Sequence, residues 1–170
     1  MFQDEARFGR VSDTHRCGCS QPIRPLCQAR ITREYVYAYA AVSVADGELD
    51  TPILPQVNCH CRQLFLDEVA SVIPMTGLSW DSMGQDGIVV TLSKLLHNLR
   101  LQMLPPYLPE LNPVENFWDE LREKSFHNRV FDSLDALENH LEAAMRDMEK
   151  DRECVHSIVA WPWIMNSLMK

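Results

Sequence analysis

The sequence has no uninterrupted apolar run long enough to cross a bilayer and no signal-peptide pattern at its start, so it points to neither a membrane span nor secretion. No internal repeat or low-complexity tract breaks it into an array. It also lacks a basic excess. Sixteen Lys and Arg stand against 24 Asp and Glu, a formal net charge of −8. A chain-wide electrostatic grip on nucleic acid is thereby excluded, and any such contact must come from local clusters. Zinc-finger spacing is missing as well. The six cysteines, at 17, 19, 27, 59, 61 and 154, include Cys17-Gly18-Cys19 and Cys59-His60-Cys61, whereas structural zinc sites separate paired ligands by about two to four residues. A zinc or thiol module, with His15 or His60 assisting, is the weaker alternative; a disulfide framework does not suit a chain without a secretory signal. The expectation is a soluble cytoplasmic chain with unpaired thiols.

What is present fits one globular domain. A chain of 170 residues with 46% hydrophobic and 8% aromatic residues can bury a substantial core. Residues 2–8 read as a first strand and Glu34 to Val44, EYVYAYAAVSV, as a second. Asp46-Gly47 signals a hairpin turn, with Glu48 to Leu54 returning. Asn58 can cap a helix running to about Ile73, and Leu99 to Leu104 is a short strand. Met75 to Gly84 is too rich in Gly and Ser to read as a buried strand. A final helix capped by Asp132 carries Leu134, Leu137, Leu141, Met145 and Met148 at spacings of three and four. Strands first, helices interleaved and helices last predict an α/β domain over residues 1–150, with 151–170 as a tail packing on it.

The densest information lies in LPPYLPELNPVENFWDELREKSFHNRVF, Leu104 to Phe131. Prolines at 105, 106, 109 and 113 restrict the loop. Asn112-Pro113-Val114-Glu115 is an N-cap, a proline at the first helical position and the Glu of a capping box. The helix from Pro113 to about Ser125 then sets Val114, Phe117, Trp118 and Leu121 on one side. The loop therefore aims Glu115 with little conformational freedom.

This string resembles the third acidic motif of mariner-like and bacterial insertion-sequence transposases of the DDE class, with Leu108 where that motif usually has Ser. A capping box alone would explain an isolated Glu115; the surrounding prolines and aromatics favour the catalytic, metal-binding acid of the family. Phe2-Gln3-Asp4-Glu5-Ala6-Arg7-Phe8-Gly9-Arg10 is similar to the first motif and implies Asp4 as a ligand. Gln85-Asp86-Gly87 is similar to the start of the second motif and implies Asp86. The resemblance further implies a ribonuclease-H-like mixed sheet flanked by helices, with C-terminal helices. It implies two Mg²⁺ or Mn²⁺ ions held by Asp4, Asp86 and Glu115, and cleavage and strand transfer at DNA, meaning transposon ends and target. Hard divalent cations take such oxygen ligands, and a metal pair about 4 Å apart suits an in-line phosphoryl displacement. DNA contacts would come from Arg7 and Arg10 near the first acid and Arg122, Lys124 and Arg129 beyond the third, which otherwise read as solvated surface. Members normally carry an N-terminal helix-turn-helix region, expected to be absent from this chain. A homodimer or a separately encoded DNA-binding part would supply that grip, and the chain would associate with the nucleoid when acting on DNA.

The second motif departs most from the family pattern. Ile88-Val89-Val90-Thr91-Leu92 replace its usual continuation, with Thr91 at the position of an expected His. Only 28 residues separate Asp86 from Glu115, whereas Asp81 leaves 33, nearer the usual spacing but in the wrong local context. A truncated or decayed copy would account for this. The alternative function is accordingly a non-catalytic remnant that binds nucleic acid or associates with intact subunits.

Overall fold

The computed structural model describes residues 1–11, 20, 33–72, 76–81, 99–105 and 108–168. Strand β1 (Phe2–Gly9) pairs antiparallel with β2 (Tyr35–Val42) along its whole length, from Phe2 opposite Val42 to Gly9 opposite Tyr35. After the turn, β2 also takes the short β3 (Leu49–Asp50) and β4 (Ile53–Leu54). On the other side β1 pairs in parallel with β5 (Thr76–Asp81), which pairs in parallel with β6 (Leu99–Leu104). The sheet order is β3-β2-β1-β5-β6, mixed in direction, with β1 at its centre.

Alternation along β1 and β2 divides the core between two faces. Phe2, Ala6 and Phe8, with Val36, Ala38, Ala40 and Val42, join the larger cluster with the C-terminal helices. Tyr39 and Ala41 face α1 (Cys59–Val72), where Cys61, Phe65, Leu66 and Val69 complete a smaller cluster. The small Ala38 and Ala40 leave room for Phe117 and Trp118 of α2 (Pro113–Leu121). Helix α3 (Leu134–Lys150) buries Leu137, Leu141 and Met145, one per turn.

Several expectations are met closely: both first strands, the hairpin, α1 with Asn58 Oδ1 accepting from the Cys61 N–H, β6 and the start of α2. Others are corrected. Thr76–Asp81 is a strand despite Gly77 and Ser79, because ladders with β1 and β6 on its two sides override weak local propensity. The cap of α3 is Ser133, not Asp132: Ser133 has extended backbone and its Oγ accepts from the Ala136 N–H at 3.0 Å. Beyond Leu121 the chain continues as a π-helical turn, Arg122–Phe126. The expected tail holds two helices, α4 (Arg152–Val159), capped by Asp151, and α5 (Pro162–Leu168), and their Val155, Val159 and Ile164 enter the main core. Residues 88–92 and Asp86 lie outside the described residues.

The turn after β2 requires its glycine. Gly47 has φ +71°, and a Cβ there would fall 2.1 Å from the Arg152 carbonyl oxygen, so the hairpin tip is closed against α4.

Candidate active site

Asp4 sits in the middle of β1, on the face that α2 covers. The end of the proline loop is fastened to this strand by one fully buried side chain. Asn112 Oδ1 accepts from the Val114 N–H at 3.2 Å, capping α2, while Asn112 Nδ2 donates to the Gln3 carbonyl at 3.2 Å. The cap is thus bonded to the residue next to Asp4. It closes on the second helical N–H, and the Glu115 N–H bonds to the Asn112 carbonyl at 3.1 Å.

One turn later, Trp118 lies on the same side of α2 as Glu115, as an i,i+3 spacing dictates. Its indole Nε1–H donates to Asp4 Oδ2 at 3.1 Å. The ring is 1% exposed and packs edge-on against Phe8, with centroids 5.9 Å apart. Asp4 is thereby partly enclosed and within reach of the charge of a second acid. Burial, then the negative charge of Glu115, then that of Glu5, push its carboxyl up to about 8; hydrogen bonds from a backbone N–H and from Trp118 oppose them. Such a carboxyl ionises readily only when a positive charge joins it, which is the state a cation-binding acid needs.

Glu5, the next residue, faces the other way. Arg62 of α1 grips it with Nε to Oε1 at 2.7 Å and Nη2 to Oε2 at 3.4 Å, both side chains nearly buried. The acid beside the candidate ligand is therefore structural.

Asp86 lies outside the described residues. Asp81 ends β5. The parallel register sets Phe2 opposite Ser79 and Gln3 opposite Trp80, and Asp81 is the residue that follows the last of these pairs on β5. Among the described residues, no three or more His, Cys, Asp or Glu side chains form a group that could hold a metal ion; the structure unites two acids, Asp4 and Glu115.

The basic candidates separate by what holds them. Arg10 is largely a staple, bonding the Phe131 and Asp132 carbonyls and pairing with Glu34. Lys124 pairs with Glu120 at 2.7 Å. Arg122 pairs with Asp119 at 3.5 Å and lies over the Phe8 ring, and the exposed Arg7 lies over Tyr35 at 4.5 Å. Arg7 and Arg122 line one groove of about 480 Å³ at the end of β1, and Arg129 is exposed beyond it. Of the second cysteine pair, Cys61 is buried in the smaller core while Cys59 is exposed, so the two thiols face different surroundings.

The sequence pattern sets Trp118 in the apolar stripe and reveals neither its bond to Asp4 nor the Arg62–Glu5 pair. The sole advance signal for the first was an indole, which needs a partner for its N–H when buried, one turn from the candidate acid.

The family model for DDE superfamily endonucleases matches residues 1–138. The chain is 30% identical over 134 residues to the uncharacterized protein y4pE/y4sA of Sinorhizobium fredii, covering 78% of this chain and 99% of that one. Among solved structures it is similar to the Mos1 transposase paired-end complex with left transposon end, at TM-score 0.58 and 15% identity, covering 94% of this chain and 55% of that chain. It is likewise similar to the Mos1 mariner paired-end complex with Mn, at TM-score 0.58 and 14% identity, covering 94% and 55%. The chain spans about half the length of those Mos1 chains. The mixed sheet with helices on both faces is the ribonuclease-H-like fold that the sequence implies.

Proposed function

Because this chain belongs to the DDE superfamily endonucleases, we propose that it is the catalytic domain of a transposase, acting on DNA by metal-dependent strand cleavage and strand transfer. The observation that carries the reading is Asp4: a half-buried carboxylate on which the negative charges of Glu115 and Glu5 both act. Two such groups fit Mg²⁺ or Mn²⁺, which take oxygen ligands and relieve the repulsion between them. Divalent cations bound there would supply charge for the attacking and leaving oxygens of an in-line displacement at a phosphodiester. The chain's own part is positional. Asn112 fixes the start of α2 against β1, α2 carries Glu115, and Trp118 of the same helix bonds Asp4 of β1.

The third ligand has two candidates. Asp86 carries the local motif, and Asp81 directly follows the residues of β5 that pair with β1. DNA, as transposon ends and target, is the proposed partner, together with a second copy of the chain or a separately encoded DNA-binding part. Among the described residues, no helix is long and apolar enough to cross a membrane.

The test is cleavage of a labelled DNA duplex in Mn²⁺ by wild type, Asp4→Asn, Glu115→Gln, Asp81→Asn and Asp86→Asn. Losing one ligand should cost several kcal/mol of barrier, about 100-fold or more in rate. Asp4→Asn and Glu115→Gln should both show it, and whichever of the other two does so is the third acid. DNA binding without cleavage, indifferent to Glu115, would instead identify a non-catalytic remnant.

A further inference from the structure

Trp118 is placed to govern how Asp4 meets a cation. A buried indole N–H needs an acceptor, and any backbone carbonyl would serve. Here it is given to a carboxylate oxygen, Asp4 Oδ2, at 3.1 Å. The ring cannot easily turn away. It is 1% exposed, edge-on to Phe8 and 4.9 Å from the ring of its neighbour Phe117. Trp118 and Glu115 share α2, so one rigid element holds both an acid and the group that orients the other acid.

A carboxylate offers about four lone-pair directions over two oxygens. A donor on Oδ2 removes one of them and fixes rotation of the carboxyl plane. The donor's neutrality matters. An Arg or Lys would orient Asp4 equally well but would bring the positive charge itself, as Arg62 does for Glu5 on the opposite face. An indole orients and leaves the charge unmet.

We propose that Trp118 is a positioning residue: its N–H occupies one lone pair of Asp4 Oδ2 and so presents the carboxylate to the divalent cations in a single orientation. This rests on the metal-dependent reading given above.

The test uses the full chain labelled with ¹⁵N-tryptophan and titrated with Mg²⁺, together with Mn²⁺-dependent thermal shifts. The Trp118 indole cross-peak is the one lost in Trp118→Phe. Should that variant fail to fold, Trp80→Phe, Trp161→Phe and Trp163→Phe identify the peak by elimination. Mg²⁺ should move this peak in the wild type and leave it in place in Asp4→Asn. Outer-shell partners of metal ligands are typically worth 10–100-fold in affinity, so folded Trp118→Phe should need about 10-fold or more Mn²⁺ for the same thermal shift. A wild type that responds to metal while the Trp118 peak stays still, or a Trp118→Phe variant within about twofold in Mn²⁺ requirement, overturns the positioning role alone. A wild type indifferent to both metals overturns the metal-dependent reading, and the positioning role with it.

Discussion

On one face of β1, Glu5 is held by Arg62 from α1 through two hydrogen bonds, and the pair is nearly buried. On the other face, Asp4 is half-buried, acted on by the charge of a second acid and held by a neutral indole. The two residues are consecutive and chemically almost equivalent. Strand alternation alone sends them into different environments. A structural carboxylate comes with its cation built into the fold, whereas Asp4, the ligand proposed above, is oriented by the fold with no cation partner built in. A one-residue slip of β1 would exchange the two roles.

The largest effect that could break this contrast is expected at Arg62. Arg62→Met leaves Glu5 buried without its cation and should destabilise the protein by about 3 kcal/mol in urea unfolding. Adding Glu5→Gln should recover most of that loss; a single variant costing under about 1 kcal/mol would mean that Glu5 is not compensated as described. Asn112→Ala should cost about 2 kcal/mol, roughly half from the lost cap and half from the lost bond to the Gln3 carbonyl. Asn112→Asp retains the cap acceptor and loses the donor, so it should fall between the two.

Asp50 sharpens the contrast, because it too is an unmet acid. Its Oδ2 is buried without a partner, and burial followed by the charges of Glu68, Glu149 and Glu48 raises its pKa to about 6. A carboxyl raised in the folded state favours folding in its protonated form, so wild-type stability from this group is present below about pH 4 and lost as pH rises through 6. Asp50→Asn should therefore stabilise by about 1 kcal/mol at pH 7, a figure reduced for partial solvent screening, and match wild type at pH 4. Its thermal shift with Mn²⁺ should equal that of wild type, which would separate mere burial from a built site. The smallest change in metal-free stability is expected for Glu115→Gln. Relief of repulsion at Asp4 offsets the loss of a favourable charge in the first helical turn, leaving the melting curve within about 0.5 kcal/mol of wild type. The same variant should lose the Mn²⁺-induced rise.

The parts of the fold that the sequence exposes are those fixed by short-range chemistry. Asn112-Pro113 starts a helix because cap and φ are local, and the alternation in β1 and β2 follows from one buried face each. Strand β5 escapes because what holds Thr76–Asp81 extended is pairing to strands far away in sequence, not Gly77 or Ser79 themselves. Helix α4 escapes for a different reason: Val155 and Val159 make one apolar repeat, too short to register as a period. At the candidate site, Glu115 and Asp4 are proposed from their motifs. The Trp118 bond joins positions 114 apart, and no local pattern encodes such a partner. Arg10 shows the converse, since its charge suggests a DNA contact while its hydrogen bonds fasten β1 to Phe131 and Asp132.

Gly47 bears on where this folding unit can be cut. The family match stops at residue 138, yet the hairpin closing β2 is roofed by the backbone of Arg152, with no space for a single methyl group between them. A fragment trimmed to the matched segment would strip that roof from the turn. It would also remove Leu141, Met145, Val155 and Val159 from the core shared with β1. Expression boundaries for this protein therefore belong beyond α4, and a shorter piece should behave as an incomplete, aggregation-prone domain rather than a minimal one.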